Sequence, residues 1–378
     1  MSDPILPEAN LGMLGSGQLG RMFTLEARRM GYRVTVFGPD ENSPAGQIAN
    51  KQIQAPYDDL DAVRALASEV SVVSFEFENV PADTAAAAAE GAHVRPAGSL
   101  LHTTQNRQRE KEALSKAGAP VADFAVIETE PDLERGTADV RAPWILKTAS
   151  SGYDGKGQVR CGTPEEAASA WDSLDRSACV LETVVSFESE ISVVGARGVD
   201  GEVALYDPLM NDHVNHILDT TISPANVSAA TRDKAHEIMR LLLDTWEVIG
   251  VMCVEMFLMA DGDLVVNEIA PRPHNSGHLT IDAHVCSQFE QQVRAVCGLP
   301  LGSTHQTRPA AMSNLLGDLW QDGTPKWDDA MRVPETSLHL YGKAEARPGR
   351  KMGHITALGD TTEEAVTRAL SARSALNR

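Results

Sequence analysis

The chain has 378 residues, 42% hydrophobic and 23% charged, enough to bury a core without staples and to form two or three packed units. Its formal net charge of −20 argues against nucleic acid as a partner, because binding a phosphate backbone needs a basic surface. Five cysteines without a C-x-x-C pair argue against a disulfide framework or a zinc site. The N-terminus lacks a secretory pattern, and the most apolar stretch, 241–260, is interrupted by Asp244, Glu247 and Glu255, so a cytoplasmic chain with no membrane span is expected.

In chain order, residues 11–14 read as a strand, 15–20 as a glycine turn and 21–30 as a helix closed by Gly31. Strands at 33–37 and 70–75 alternate with helices at 59–69 and from Val80 through the alanine run 85–89, a pattern that gives a parallel sheet. Residues 105–117 read as a charged amphipathic helix closed by Gly118 and Pro120. A small α+β unit is expected from about 121 to 183, with a polar connection at 131–140, a strand at 144–147 and a glycine-rich stretch at 152–157. Strands then dominate, at 191–195, 203–206, 250–259 and 264–269, flanked by helices at 229–245 and 282–296. Strands at 337–341 and 354–358 and a helix from Thr362 complete the chain.

Five motifs carry chemistry. Gly15-Ser-Gly17-Gln18-Leu-Gly20 follows a strand and opens a helix, the setting of a dinucleotide fingerprint. A nicotinamide site wants an acidic residue ending the second strand, which here ends Phe37-Gly38-Pro39; a structural or substrate-side turn is favoured. Lys147 ends a strand ahead of Gly152-Tyr153-Asp154-Gly155-Lys156-Gly157-Gln158, a loop whose N–H groups can close over phosphates but which is not a Walker loop. Read alone, it is equally a hairpin turn. Glu255 and Glu268 lie in two apolar strands joined by Asp261-Gly262-Asp263, and carboxylates so placed suit magnesium held against phosphate oxygens. Arg272, His274, Asn275 and Ser276 crowd a proline-stiffened loop suited to an oxyanion. Lys343, Arg347, Arg350 and Lys351 form a basic knot suited to a phosphate, or a solvated surface turn.

Taken together, these motifs resemble the ATP-grasp superfamily, and within it the 5-(carboxyamino)imidazole ribonucleotide synthase family. The resemblance runs from Gly15-x-Gly-Gln-Leu-Gly-Arg-Met22 to Arg347-Pro-Gly-Arg-Lys-Met-Gly-His354. It implies an α/β and α+β ATP-grasp fold with a Rossmann-like parallel-sheet domain (1–104), a small lobe with a glycine-rich lid (105–186), a large lobe with the metal site (187–308) and a small β-rich C-terminal segment (309–378). It implies ATP and magnesium, or manganese, as cofactors, aminoimidazole ribonucleotide and bicarbonate as substrates, and a homodimer. Carboxyphosphate, made from ATP and bicarbonate, or the carbon dioxide it releases, would carboxylate the substrate amine in purine biosynthesis.

The roles implied residue by residue are these. Arg107, Lys147 and the lid Gly152, Tyr153, Asp154, Gly155, Lys156, Gly157 and Gln158 would meet the ATP phosphates. Glu182, Thr183, Val184 and Val185 would form the adenine hinge, Glu190 would take the ribose, and His213 and Asn267 would lie at the nucleotide. Glu255 and Glu268 would hold the metal. Tyr153, Arg272, His274, Asn275 and Ser276 would surround carboxyphosphate. Glu76, Gln18, Lys343 and Arg350 would take the ribonucleotide. This chain departs from the superfamily at Ala270, where many members have asparagine, and between His213 and Ile217, where a glycine is missing and the spacing is one short. Another ATP-grasp ligase using formate or biotin, a dehydrogenase and a non-catalytic nucleotide sensor are the competing readings.

Overall fold

The structure, a computed structural model, describes residues 3–150 and 156–377. The chain opens with β1 (Asn10–Leu14), α1 (Gln18–Arg29), β2 (Arg33–Gly38), β3 (Lys51–Gln54), α2 (Leu60–Glu69), β4 (Val72–Phe75), α3 (Ala82–Ala89), β5 (His93–Val94) and α4 (Gly98–Thr104). The five strands form a parallel sheet in the order β3-β2-β1-β4-β5. Its strands are apolar on both faces because helices cover both, as parallel sheets require.

Next come α5 (Arg107–Ala117), β6 (Phe124–Ile127), α6 (Glu130–Asp139), β7 (Trp144–Thr148), β8 (Gln158–Cys161), α7 (Pro164–Ser173) and β9 (Cys179–Thr183). The strands pair in the order β6-β9-β7-β8, all antiparallel. Asn106 caps α5, and Gly118, at φ 82°, closes it in the left-handed region that favours glycine. The polar connection expected at 131–140 is instead α6. Thr129, its N-cap, and Asp132 form a capping box across its first turn, where Pro131 also sits, signals that outweigh Gly136 and Thr137.

The remainder contributes β10 (Ser189–Arg197), β11 (Val203–Leu205), β12 (Leu209–Val214), β13 (Ile217–Ser223), α8 (Ala229–Thr245), β14 (Gly250–Leu258), β15 (Leu264–Ala270), α9 (Thr280–Ala283), α10 (Gln288–Cys297), β16 (Ala310–Leu316), α11 (Trp327–Ala330), β17 (Thr336–Leu340), β18 (Lys351–Leu358) and α12 (Thr362–Ala375). The helix expected over 282–296 is broken: α9 ends at Ala283, and Ser287 caps a fresh start for α10. One sheet runs β15-β14-β10-β12-β13-β16-β18-β17, with β11 on β10. The strands after residue 309 therefore extend the preceding lobe's sheet. Below it, α8 buries Ala235, Met239, Leu242 and Leu243 against Ile191, Val193 and Val254.

Candidate active site

The cavity lies between the small-lobe sheet, the large sheet and α5, and has a volume of about 500 Å³. Arg107, Lys147, Lys156, Gly157, Gln158, Glu190, His213, Glu255, Asn267, Glu268, Arg272, His274 and Asn275 all line it. The calls on Gly152, Tyr153, Asp154 and Gly155 fall outside the described residues.

Glu255 and Glu268 stand directly opposite each other on β14 and β15, at a register shift between Glu255 and Met256. Like charges placed so are destabilising unless a cation sits between or beside them. Here Arg107 approaches Glu268 at 3.3 Å and the His274 ring approaches Glu255 at 2.9 Å. Burial alone would lift the Glu255 carboxyl, but His274 and then His213 hold it below the usual carboxylate range. This donor set fits a hard divalent cation. No group of three or more His, Cys, Asp or Glu gathers to hold a metal among the described residues, so phosphate and water oxygens would complete its shell. Ala270 points into the apolar layer with Leu279 and Cys253 and supplies no ligand, while Asn267 faces the cavity.

Around the phosphates' expected position the charges are paired but incompletely hydrogen-bonded. Lys147 and Lys111 both grip Glu182 Oε2, at 3.0 and 3.2 Å. Burial would raise Glu182, yet Lys111, Lys147 and Arg107 pull it down to about 2. Burial pushes Lys147 the other way, down to about 8, with Glu182 opposing. Arg107 Nη1, Glu182 Oε1, Arg272 Nε and both amide atoms of Asn275 are buried without a partner. Buried polar groups are almost always satisfied, and Arg107, Arg272 and Asn275 among these line the cavity, which marks it as a ligand's place. In the segment expected as the adenine hinge, which does not line this cavity, Thr183 N–H is spent on Asp123 O and Val184 N–H on Pro143 O. Glu190 meets His213 at 3.1 Å. Asn215 and His216 both have positive φ and close a two-residue turn between β12 and β13, so the hairpin forms without the missing glycine and brings His216 to the cavity as well.

The glycine turn has its own anion. Glu76 accepts hydrogen bonds from the N–H groups of Gly17 and, at 2.6 Å, Gly20, the donors that a dinucleotide's pyrophosphate would need. Burial raises its pKa, those two N–H groups lower it, and Lys343 and Arg272 add to the lowering. A Cβ on Gly15, which sits at φ 117°, would lie 2.2 Å from Glu76 Cγ. Gly15→Ala is therefore expected to cost roughly 1–3 kcal/mol of stability, read as a lower denaturation midpoint. Lys343 donates to Gln18 Oε1 at 2.5 Å and to Lys351 O at 2.6 Å, and Arg350 donates to Glu345 O at 2.8 Å. Lys351 lines the cavity, so the end of the basic turn borders it.

Sequence reasoning passed over Glu78, which pairs with Arg272 at 2.5 Å, and Glu110 and Lys111. The last two lie three and four residues after Arg107, on one face of α5, a spacing that could have flagged them. Glu110 accepts from Ile269 N–H at 2.7 Å, next to Glu268; burial raises it to about 7 and Arg107 opposes.

Three family models match in succession: a ribonucleotide synthetase pre-ATP-grasp domain over residues 9–105, an ATP-grasp domain over 112–289 and a phosphoribosylaminoimidazole carboxylase C-terminal domain over 310–368. The N5-carboxyaminoimidazole ribonucleotide synthase of Bacillus subtilis is 42% identical over 360 residues, 95% of this chain and 94% of that one. A crystal structure of an N5-carboxyaminoimidazole ribonucleotide synthetase with ADP superposes with a TM-score of 0.92 at 42% identity, covering 98% of both chains. The Aspergillus clavatus enzyme in complex with ADP and 5-aminoimidazole ribonucleotide superposes with a TM-score of 0.89 at 32% identity, covering 98% of this chain and 99% of that one. With the parallel first sheet, the facing glutamates and matches along almost its whole length, the chain belongs to the N5-carboxyaminoimidazole ribonucleotide synthase family of ATP-grasp ligases.

Proposed function

We propose that the chain joins bicarbonate to the amine of 5-aminoimidazole ribonucleotide at the expense of ATP, with Glu255 and Glu268 holding magnesium, and that it works as a cytoplasmic homodimer. The observation that carries this reading is the facing pair of carboxylates beside Arg107 and Lys147 in one cavity with Arg272, His274 and Asn275. Bound magnesium would neutralise phosphate charge as the phosphoryl group moves.

The chain's own groups do the rest. Arg107 and Lys147 neutralise and orient the triphosphate, so bicarbonate oxygen meets the terminal phosphorus in line. Arg272, tied to Glu78, and the unpartnered Asn275 amide offer donors to the carboxyphosphate oxygens. The His274 ring lines the same cavity and meets Glu255 at 2.9 Å. The ribonucleotide phosphate falls to Lys343 and Arg350, whose turn meets Gln18 at the start of α1.

Phosphate release with and without each substrate tests the reading. ADP and phosphate should form together only when both bicarbonate and aminoimidazole ribonucleotide are present in excess of background turnover. Turnover that needs formate or biotin and ignores bicarbonate would refute it. A pH dependence follows for the second substrate. Burial, then Arg350, lowers Lys343 to about 8, and a neutral amine cannot clamp a phosphate. The KM for the ribonucleotide should climb above that pH, by up to about tenfold per unit, and Lys343→Arg should flatten the rise.

A further inference from the structure

We propose that Gln288 is a positioning residue for the carboxyphosphate site: its side-chain amide clamps the main chain of His274 and so holds Arg272, His274 and Asn275 at the cavity. The inference rests on the function proposed above and extends it to a residue that does not itself line the cavity.

The segment between β15 and the short 3-10 turn Asn275–Leu279 needs such a holder. It reads Pro271-Arg272-Pro273-His274, and its prolines have no N–H to pair with a neighbour. Gln288 supplies from the side what an adjacent strand would supply. Its Oε1 accepts from His274 N–H at 2.9 Å, and its Nε2 donates to His274 O at 2.7 Å. The second Nε2 proton goes to His278 Nδ1 at 3.1 Å. A main-chain N–H can only donate and a carbonyl only accept, so the amide has one orientation and both its ends are used. The carbonyl's remaining lone pair takes Gly277 N–H at 3.1 Å. Side chains at the cavity depend on this path of the chain. Arg272 Nη1 donates to Pro273 O at 3.0 Å, one residue before the clamp, and Asn275 follows one residue after it.

The clamp is itself fixed. Gln288 has no exposed surface, opens α10 behind the Ser287 cap, and its main-chain N–H donates to Thr280 Oγ1 at 3.0 Å. Helix α10 is rooted in the core through Phe289, Val293 and Val296. Two further buried glutamines use the same device. Gln291 grips Gly302, accepting from its N–H at 2.7 Å and donating to its O at 2.9 Å. Gln292 accepts from Val251 N–H at 2.5 Å and donates to Ser74 Oγ at 2.9 Å. Breaking any of these strands a main-chain N–H, so each stabilises the fold. Of the three, Gln288 alone grips a residue that lines the cavity. Loss of its amide therefore disturbs the site as well as the fold, and loss of the Gln291 amide the fold alone.

The test measures kcat and the KM values for bicarbonate and ATP in the full chain, beside a thermal melt. Gln288→Met keeps the side chain's length and removes its hydrogen bonds to His274 and His278. Gly277→Ala leaves Gln288 in place but puts a Cβ 2.5 Å from its Oε1, which drives the amide off His274. Both should raise the KM for bicarbonate by about tenfold or more and leave the KM for ATP within about twofold, because Arg107 and Lys147 stand on α5 and β7, away from the clamp. Gln291→Met is the control: it should lower the melting temperature comparably and change neither KM. A bicarbonate KM in Gln288→Met within about twofold of wild type, or a rise matched by the KM for ATP or by Gln291→Met, would overturn the proposal. Should Gln288→Met fail to fold, Gly277→Ala decides by the same comparison. Hydrogen exchange at the His274 N–H reads the clamp without turnover. It should quicken in Gln288→Met by about tenfold or more, and unchanged exchange would overturn the clamp. A wild-type protein without bicarbonate-dependent turnover would instead overturn the function, with the exchange result standing apart from it.

Discussion

Glu268→Gln is expected to give a folded protein whose ATP turnover is lower by roughly a thousandfold. The change removes half the charge facing the cation and leaves Glu255 already engaged by His274. Stability should barely move. Glu268 keeps 44% of its side chain exposed and its pairing with Arg107 is 3.3 Å long, the kind of partly solvated pair that contributes little. Losing it also relieves the like-charge opposition with Glu255. Phosphate release at saturating magnesium, beside a thermal melt, checks both halves. A variant keeping a tenth of the activity would remove Glu268 from the metal site.

Lys147→Met should raise the KM for ATP by roughly thirtyfold or more, since truncating one member of a buried charged contact costs about 2–5 kcal/mol. The same residue gives two pH effects of opposite sign. Its folded pKa is lowered to about 8, against about 10.5 in the unfolded chain, chiefly by burial. Between those values the unfolded chain binds the extra proton, so folding stability gains as pH rises through that window. ATP binding needs the charged lysine, so affinity falls over the same range. The variant should lose both slopes. If the KM for ATP stayed flat or fell in the wild type while the denaturation midpoint rose with pH through that window, the lysine would not be the group responsible.

Much of this could be read from residues alone where a local rule dominates. The helix over Ala229–Thr245 follows from its apolar period and the Ser228 cap, and the Glu255–Glu268 hairpin from two apolar runs around Asp261-Gly262-Asp263. The helix Glu130–Asp139 was hidden by Pro131 and Gly136 in its sequence, though its capping box was there to see. Strands Leu209–Val214 and Ile217–Ser223 carry Asn211, Asp212, His213 and Thr221, which break the alternation a half-buried strand should show. Asn211 and Thr221 turn out to belong to a buried network and His213 to face the cavity, while Asp212 is exposed. Contacts such as Ser192 with Ser276, 84 residues apart, leave no trace in local pattern. Nor does Glu76 as the anion of the glycine turn, since a fingerprint that suits phosphate suits a carboxylate as well.

The shared sheet has a consequence for how the chain can be cut. Strand Ile217–Ser223 pairs on its far side with Ala310–Leu316, so a fragment stopping near residue 308 would present a bare ladder of N–H and C=O groups. Raw edges of that sort template aggregation. Expression of such a fragment should yield inclusion bodies, whereas tags appended beyond the final helix, which ends at Ala375, should be tolerated.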